Sequence, residues 1–433
     1  MLNKASVKAL IEKVTASTKY HALVTIMETE QGVTRFANSE ISQNITITDG
    51  SATITLYDGK KQVTCSTNAL LESGMEQLVR DAESMLAFVP EGEYGAFKFS
   101  TEEVAERVCD GVLAAAFDVT KRAALIKEGV SHVEYGYTAS GALTLTDTTY
   151  AVGSSCGGFR YANYCKVEFN TVVTHQDGTD GAGECTSYTT VPDVVACFKK
   201  AQATAKAARN PVEPGLGSFT VVLSPVAFGD LIYFTRAMLN AKSVHDGVSF
   251  ARGKVGTKVF GENLTMHDDV TNPGLLPLPF DAEGNPRRVL PLIEKGVISN
   301  ITYNNKYAAK DGVPSTGHAV SASMAWPMNI VVEGGDRSLE EIIASTENGI
   351  FINEFHYTNF VNVRKLQLTG LVRNGTFLIE NGKITKPIST VRFTESLENA
   401  FNNITAISKE RTLVDGALVP GVRIENFHFT SKA

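Results

Sequence analysis

Residues 224–238 read Ser-Pro-Val-Ala-Phe-Gly-Asp-Leu-Ile-Tyr-Phe-Thr-Arg-Ala-Met and follow a short apolar segment, residues 219–223. Ser224 can cap a helix, and Pro225 suits the first helical position, where its missing N–H costs nothing. Apolar side chains then recur at helical spacing, which predicts one buried face on a helix over residues 225–241. The residues of that face are Leu231, Phe234, Met238 and Ala241. The stretch therefore predicts a core helix that packs beneath a sheet.

The composition is typical of a globular protein. The 433 residues are 43% hydrophobic and 20% charged, with a formal net charge of −7 and a pI near 5.7. This length allows two or three domains of roughly 100–200 residues each. The negative charge and the lack of a Lys/Arg run argue against direct nucleic-acid binding.

We expect a cytoplasmic protein. No apolar run approaches the roughly 20 residues that cross a bilayer, and residues 1–6 lack the features of a secretory signal. The cysteines form no Cys-x-x-Cys motif, which predicts reduced thiols rather than a disulfide framework. They are Cys65, Cys109, Cys156, Cys165, Cys185 and Cys197.

The first half of the chain alternates helical and strand-like patterns. Residues 41–66 alternate apolar and polar side chains and contain Asp-Gly at 49–50 and 58–59, which predicts an antiparallel meander with a turn at each Asp-Gly. Residues 131–190 are also strand-like. Helices are predicted over residues 4–17, 68–87 and 193–208, and from a capping box at Ser100 through Val112 and Phe117 towards Ile126.

A domain boundary is predicted at residues 210–217, where two prolines and two glycines interrupt any regular element. This gives an N-terminal domain, residues 1–209, and a C-terminal domain, residues 210–433, that carries the 225–241 helix. In the second domain, Asn-Gly at 374–375 and 381–382 predicts two tight turns. The predicted fold class is α+β: an N-terminal domain of helices and an antiparallel sheet, and a β-rich, barrel-like C-terminal domain.

Several blocks of the sequence resemble the TldD/PmbA family, in the expected order and across most of the chain. These blocks are residues 35–41 (Arg-Phe-Ala-Asn-Ser-Glu-Ile), 280–284 (Phe-Asp-Ala-Glu-Gly), 292–297 (Leu-Ile-Glu-Lys-Gly-Val), 315–318 (Ser-Thr-Gly-His), 368–377 and 379–384. The stretch 224–238 resembles the place where family proteases carry a His-Glu-x-x-x-His zinc motif. Aligned without gaps from Pro225, the motif positions become Tyr233, Phe234 and Met238.

None of these three side chains is a good zinc ligand, and Phe234 cannot act as a general base. The chain also has no cysteine after Cys197, so a C-terminal thiolate ligand is absent. In the family, a zinc-bearing TldD subunit pairs with a metal-free TldE (PmbA) subunit around a proteolytic chamber. The resemblance therefore implies the metal-free branch, with a zinc-bearing partner, a peptide substrate and no metal of its own. The family has also been described as modulators of DNA gyrase.

Two other groups of residues are candidate sites. His245, His267 and Asp269 belong to the only His/carboxylate clusters of the sequence and form a weak candidate for a metal site of another composition; polar loop residues are the simpler reading. Arg35, Asn38 and Glu40 offer short polar contacts that could hold an extended peptide by strand addition. Alternatively, Arg35 and Glu40 pair with each other and only stabilise the fold.

Three functions are compatible with these patterns. The first is a catalytically silent, TldE/PmbA-like subunit of a cytoplasmic peptide-processing metalloprotease, which forms a homodimer when alone. The second is a stand-alone peptide-binding or regulatory homodimer. The third is an active hydrolase with a different constellation around His245 and His267. The missing His and Glu favour the first.

Overall fold

A computed structural model describes residues 2–92, 97–109, 113 and 118–432. The chain folds into helices packed on a six-stranded antiparallel sheet, followed by a larger β-rich half, as the sequence predicts. The boundary at residues 210–217 stays a prediction.

The first half builds one sheet in the order β3-β2-β1-β4-β5-β6, with every pair antiparallel. Its elements are α1 (Lys4–Ala16), β1 (His21–Ala37), β2 (Glu40–Asp58), β3 (Lys61–Thr67), α2 (Glu72–Leu86), α3 (Val119–Val130), β4 (Tyr137–Ser154), β5 (Phe159–His175), β6 (Asp180–Ser187) and α4 (Val194–Ala207). Helices α1 and α2 pack over one end of the sheet, and α3 and α4 over the other.

The elements of the second half are β7 (Gly217–Leu223), α5 (Pro225–Ala237), α6 (Ala241–His245), β8 (Met266–Asp268), β9 (Leu290–Glu294), β10 (Val297–Ile298), α7 (Asn305–Asp311), β11 (Ala319–Ser321), β12 (Met324–Ala325), β13 (Ile330–Val332), α8 (Leu339–Ala344), β14 (Asn348–Asn362), a 3-10 turn (Val363–Lys365), β15 (Gln367–Glu380), β16 (Lys383–Pro387), β17 (Val391–Ser396), α9 (Leu397–Asn402), β18 (Ile404–Val414) and β19 (Ala417–Lys432). Strand β19 pairs with both β17 and β7. The strands β7, β14, β15, β17 and β19 therefore close into a ring. This ring confirms the barrel-like prediction, since closure removes free sheet edges.

The two halves meet at the sheet face opposite α1–α4. Phe280 of the second half is buried there, and its ring centroid lies 5.9 Å from that of Tyr150 on β4. Leu278 joins the same apolar cluster with Leu23 and Val152. Burial of these side chains stabilises the contact because it removes apolar surface from water.

The two Asp-Gly pairs have different roles. Gly59, with φ of +56°, turns β2 into β3 as predicted. The turn predicted at Asp49-Gly50 is wrong, because both residues lie inside the long strand β2. A Cβ at Gly50 would approach Leu70 Cδ1 to 2.5 Å, so glycine permits close packing there.

The β1–β2 hairpin turns instead at Asn38 and Ser39, whose φ values are +51° and +63°. Two successive positive φ angles are the signature of a type I′ turn.

The two Asn-Gly pairs of the second half also differ from each other, as the Asp-Gly pairs do: one forms a turn and the other lies inside a strand. Asn381-Gly382 turns β15 into β16, whereas Asn374-Gly375 lies inside β15 where its register with β14 shifts. The turn predicted at 374–375 is therefore a bulge.

The helix predicted from Ser100 is also wrong. Residues 100–109 form no helix, and their backbone is hydrogen-bonded to β5: Asn163 donates to Arg107 O at 2.8 Å, and Cys109 donates to Asn163 O at 3.0 Å. Val112 and Phe117 lie outside the described residues. Helix α3 begins at Val119, where the Asp118 carboxylate accepts from two backbone N–H groups. The sheet, rather than the local capping pattern, decides the conformation of residues 100–109.

Helix α4 packs directly against β6 because two glycines of that strand leave room for it. A Cβ at Gly183 would lie 2.3 Å from Cys197 O, and one at Gly181 would lie 2.4 Å from Ala201 O. Both obstacles are backbone atoms, which cannot rotate away.

Gly183→Ala is therefore expected to lower the free energy of unfolding by about 1–3 kcal/mol, as overpacking does. Urea denaturation followed by circular dichroism measures the change. Gly274→Ala is the matched control, because the nearest atom to its Cβ lies 3.4 Å away. Equal stability of the two variants would contradict the packing argument.

Candidate functional site

Helix α5 starts where strand β7 ends, and its first residues are firmly anchored. Ser224 Oγ accepts from Ala227 N at 3.2 Å and donates to Asn353 O at 2.5 Å. Phe228, Leu231 and Ile232 are fully buried in the core of the second half. These contacts confirm the predicted cap and buried face, but the helix ends at Ala237 rather than at residue 241.

The positions that correspond to the zinc motif lie at the C-terminal end of α5, where Met238 is the residue that caps the helix. Tyr233 is 40% exposed, whereas Phe234 and Met238 are half-buried and pack against the core of the second half, so these two side chains do contact the core as predicted but are only partly buried. The Tyr233 ring centroid lies 6.0 Å from that of Trp326, and the Phe234 ring packs edge-on against Phe360 at 5.0 Å. We call Tyr233, Phe234, Trp326 and Phe360 the aromatic face.

These motif positions do not fit zinc. Phe234 has no ligand atom, and Met238 offers only a thioether, whereas zinc sites are built from Cys, His, Asp and Glu. The Phe234 ring is also held by its contact with Phe360. No catalytic step through a metal can be derived from the side chains of this face.

The buried side chain of Arg236 contacts two rings of the aromatic face. Its guanidinium lies 5.3 Å from the Tyr233 ring centroid and 5.7 Å from that of Trp326, within the range of cation–π attraction. The same group donates to Asp415 O at 2.5 Å. Burial lowers the pKa of Arg236, while Asp415 opposes that shift. Tyr233 and Trp326 are therefore positioned by a buried cation.

Four carboxylates, which we call the acidic cluster, interact electrostatically beside this face. They are Glu184 of β6, Asp230 of α5, Glu354 of β14 and Asp415 of the β18–β19 turn. Burial and then repulsion from the other three raise the pKa of Asp230 to about 8. Surrounding protein desolvates Glu184 although its side chain keeps solvent access, and its pKa rises to about 7. Two members of the cluster therefore titrate near neutral pH.

A polar cavity of about 380 Å³ adjoins this region between the two halves. Asp180, Arg373 and Asn374 are among its lining residues. Asn374 Nδ2 donates to a Glu354 oxygen at 2.8 Å, which links the cavity wall to the acidic cluster. Arg373 lies 2.9 Å from His356 Nε2. The arrangement can bind a polar chain with donors and acceptors on both sides.

The weak metal candidates are not brought together. His245 Nε2 pairs with Asp311 at 2.8 Å, and His267 Nδ1 lies 3.5 Å from Glu333. Asp269 accepts from Thr271 in its own turn. Across residues 2–92, 97–109, 113 and 118–432, no three His, Cys, Asp or Glu side chains are grouped so that they could hold a metal ion.

Arg35, Asn38 and Glu40 all lie exposed at the β1–β2 hairpin. Asn38 occupies the first positive-φ position of the turn, which asparagine tolerates better than most residues. The described part of the chain shows no ion pair between Arg35 and Glu40, so the pairing alternative has no support. Their role in peptide binding stays a prediction.

Sequence reasoning missed Trp326 and the acidic cluster. Asp230 could have been found, because it lies three residues before Tyr233 and therefore shares its helix face. Trp326 and Glu184 carry no such local signal, because they approach α5 only through the tertiary fold.

The sequence is similar to that of known proteins over about half of its length. The family model described as PmbA/TldA metallopeptidase C-terminal domain matches residues 216–431, about half of the chain. A metalloprotease of Methanothermobacter thermautotrophicus is 25% identical over 202 residues, which are 46% of this chain and 44% of that protein. An uncharacterized protein of Methanocaldococcus jannaschii is 31% identical over 170 residues, 38% of this chain and 40% of that protein. The chain thus spans less than half the length of these curated relatives.

Solved structures share the whole fold at low identity. TldE from Thermococcus kodakarensis superposes with a TM-score of 0.85 at 18% identity, over 97% of this chain and 99% of that one. A proposed modulator of DNA gyrase from Bacteroides thetaiotaomicron gives a TM-score of 0.87 at 17% identity, with full coverage of both chains.

The residues that match the family model, 216–431, contain the closed β-ring and the capped helix α5. The chain belongs to the TldD/PmbA family. Within the described residues, no helix is both long and apolar enough to cross a membrane.

Asp230 gives a pH-dependent prediction. Its pKa is raised in the folded state, so the folded protein holds a proton that the unfolded chain releases between about pH 4 and about pH 8. Stability should therefore fall as pH rises through this window. Asparagine does not titrate, so the Asp230→Asn variant avoids this loss. The urea midpoint of the variant, relative to that of the wild type, should therefore increase as the pH rises.

The control is Asp336→Asn, which changes an exposed aspartate. Its midpoint should follow that of the wild type at every pH. If Asp230→Asn did the same, the Asp230 carboxyl would not be protonated near neutral pH.

Proposed function

We propose that this chain is a non-catalytic, TldE-like subunit of a cytoplasmic TldD/TldE-type metalloprotease that processes peptides. The observation that carries the proposal is the C-terminal end of α5, where Tyr233, Phe234 and Met238 occupy the zinc-motif positions. Family membership supplies the protease context, and the side chains of this face supply no metal ligand set. Zinc belongs to a TldD-type partner, and its ligands come from that partner.

The same face suits contact with a peptide. Tyrosine and tryptophan offer rigid apolar area with a polar edge, which is typical of protein recognition surfaces. Tyr233 presents such a surface to solvent, and the carboxyl groups of the acidic cluster can exchange hydrogen bonds with a peptide in either protonation state. Arg35, Asn38 and Glu40 at the β1–β2 hairpin offer a second peptide contact, by strand addition. When made alone, the chain forms a homodimer.

The first experiment measures metal content and hydrolysis of an unstructured peptide. The purified chain alone should hold no stoichiometric zinc and show no hydrolysis. Mixed with a zinc-bearing TldD relative from the same organism, it should raise hydrolysis above that of the relative alone. Zinc-dependent hydrolysis by this chain alone would refute the non-catalytic role.

Tyr233→Ala tests the peptide-contacting face within that mixture. Loss of the ring should lower kcat/KM of the mixture about tenfold, since an aromatic contact worth about 1.4 kcal/mol changes binding by that factor. Tyr135→Ala is the matched control, because Tyr135 is fully exposed in the first half of the chain. Size-exclusion chromatography confirms that both variants still assemble. Equal losses in the two variants would remove the special role of Tyr233.

The aromatic face also supports a second candidate, a stand-alone peptide-binding homodimer. Tyr233 and Trp326 are accessible without any partner, so peptide binding does not require one. Fluorescence of Trp326, the one tryptophan of the chain, reports on it directly. Peptide binding by the chain alone, without any effect on a zinc-bearing relative, would favour this second function.

A further inference from the structure

Cys185 and Cys197 lie in direct contact although they belong to different elements. Cys185 is half-buried on β6, and Cys197 is buried in the first turn of α4. Their Sγ atoms are 3.1 Å apart, and both residues are free thiols. The contact is unrelated to the zinc-motif positions on α5.

The packing of α4 on β6 fixes this contact. Gly181, Gly183 and Cys185 alternate along the strand, so they lie on one of its faces. Cys197 and Ala201 are one turn apart on the helix, so they share the face that meets the two glycines. The close packing of the two backbones therefore fixes the distance between the thiols.

We propose that Cys185 and Cys197 form a site of reversible oxidative modification, at which oxidised glutathione or a related small disulfide joins them. A disulfide requires an S–S distance of about 2.05 Å, so the sulfurs need approach by only about 1 Å. Exchange requires a thiolate that attacks a sulfur of the small disulfide, and a second cysteine close enough to attack the mixed disulfide that results.

The electrostatics support this chemistry. The hydrogen bond shared with Cys185 lowers the pKa of the Cys197 thiol, and Lys200 acts in the same direction. The same pairing raises the pKa of Cys185. Cys197 also lies in the first turn of α4, where the helix dipole favours a thiolate.

The reaction balances as two thiol–disulfide exchanges. One cysteine thiolate attacks a sulfur of oxidised glutathione, forms a mixed disulfide and displaces one glutathione thiolate. The second cysteine, after losing its proton, attacks the mixed disulfide and displaces the other. The protein loses two hydrogen atoms, and the oxidised glutathione is reduced to two molecules of glutathione.

A disulfide between Cys185 and Cys197 would lie next to the acidic cluster of the candidate site. Glu184, a member of the acidic cluster, directly precedes Cys185, and β6 contacts β15 and β18 of the second half. Oxidation would tie this strand to α4 and restrict the movement of Glu184. The inference does not depend on the proposed protease role, because it needs only the α4–β6 packing.

Peptide mapping of the full-length protein provides the test. The protein is incubated with oxidised glutathione, its remaining thiols are alkylated, and it is cleaved before aspartate. Such cleavage separates Cys185, in fragment 180–192, from Cys197, in fragment 193–229. We expect the two fragments to be recovered as one disulfide-linked species that dithiothreitol separates.

The other cysteines serve as internal controls. Cys156 is exposed, and Cys65 Sγ lies 3.5 Å from the thioether sulfur of Met85, which cannot form a disulfide, so both cysteines should be alkylated or singly glutathionylated. Cys109 and Cys165 have Sγ atoms 3.2 Å apart, and mapping distinguishes a bond between them from the proposed one. Separate recovery of fragments 180–192 and 193–229, or links from either to Cys109 or Cys165, would overturn the proposal.

Two variants complete the test. Cys185→Ser should abolish the linked species, whereas Cys156→Ser should leave it unchanged. Circular dichroism shows whether each variant is folded, and the wild-type map decides the question even if Cys185→Ser does not fold.

Discussion

Strand β7 is hydrogen-bonded on both sides, and the candidate site depends on this constraint. It pairs in parallel with β14 through Val221 and Ile350, and antiparallel with β19 through Leu223 and Val422. A strand held in the middle of a closed ring cannot slip in register, because a slip would expose its buried residues. Ser224 follows immediately and caps α5. The ring therefore decides which face of α5 is buried and which carries the aromatic side chains.

The segment that carries Trp326 of the aromatic face is held in place by a buried ion pair. Asp268 accepts from Arg287 at 2.9 Å and from Asn329 N at 2.9 Å, and His318 lies 3.2 Å away. Burial alone would raise the pKa of Asp268, but these partners outweigh it and hold that pKa below its usual range. Trp326 N donates to His318 O, so the segment that carries the tryptophan is tied to the same network. Because a buried charge that loses its partner is costly, this ion pair holds the segments around it in one arrangement.

Much of the fold follows from local pattern, and its errors arise where tertiary contacts override that pattern. Helical spacing predicts α1, α2 and α4, because each buries one apolar stripe. The Asn-Gly and Asp-Gly pairs show the limit, since both residues adopt positive φ in a bulge as readily as in a turn. Asn374 and Asn381 have the same φ of +52°, yet one lies inside a strand and the other ends it. Only the strand that pairs alongside decides between these outcomes, and local sequence does not contain it.

Only part of the candidate site can be predicted from the sequence, because some of its residues lie close together on one element and others come together only in the folded protein. Resemblance to the family identified Tyr233, Phe234 and Met238, since they lie on one element at fixed spacing. How far each of them is buried was not predicted, because an apolar residue on a helix is assigned to the core unless the neighbouring elements are known. The acidic cluster draws Glu184 from the first half and its other carboxylates from the second, so the repulsion that Glu184 adds to the raised pKa of Asp230 arises only when the halves are docked. The protonation of this face is therefore a property of the assembled fold, and a change in the docking of β6 is expected to alter its charge near neutral pH.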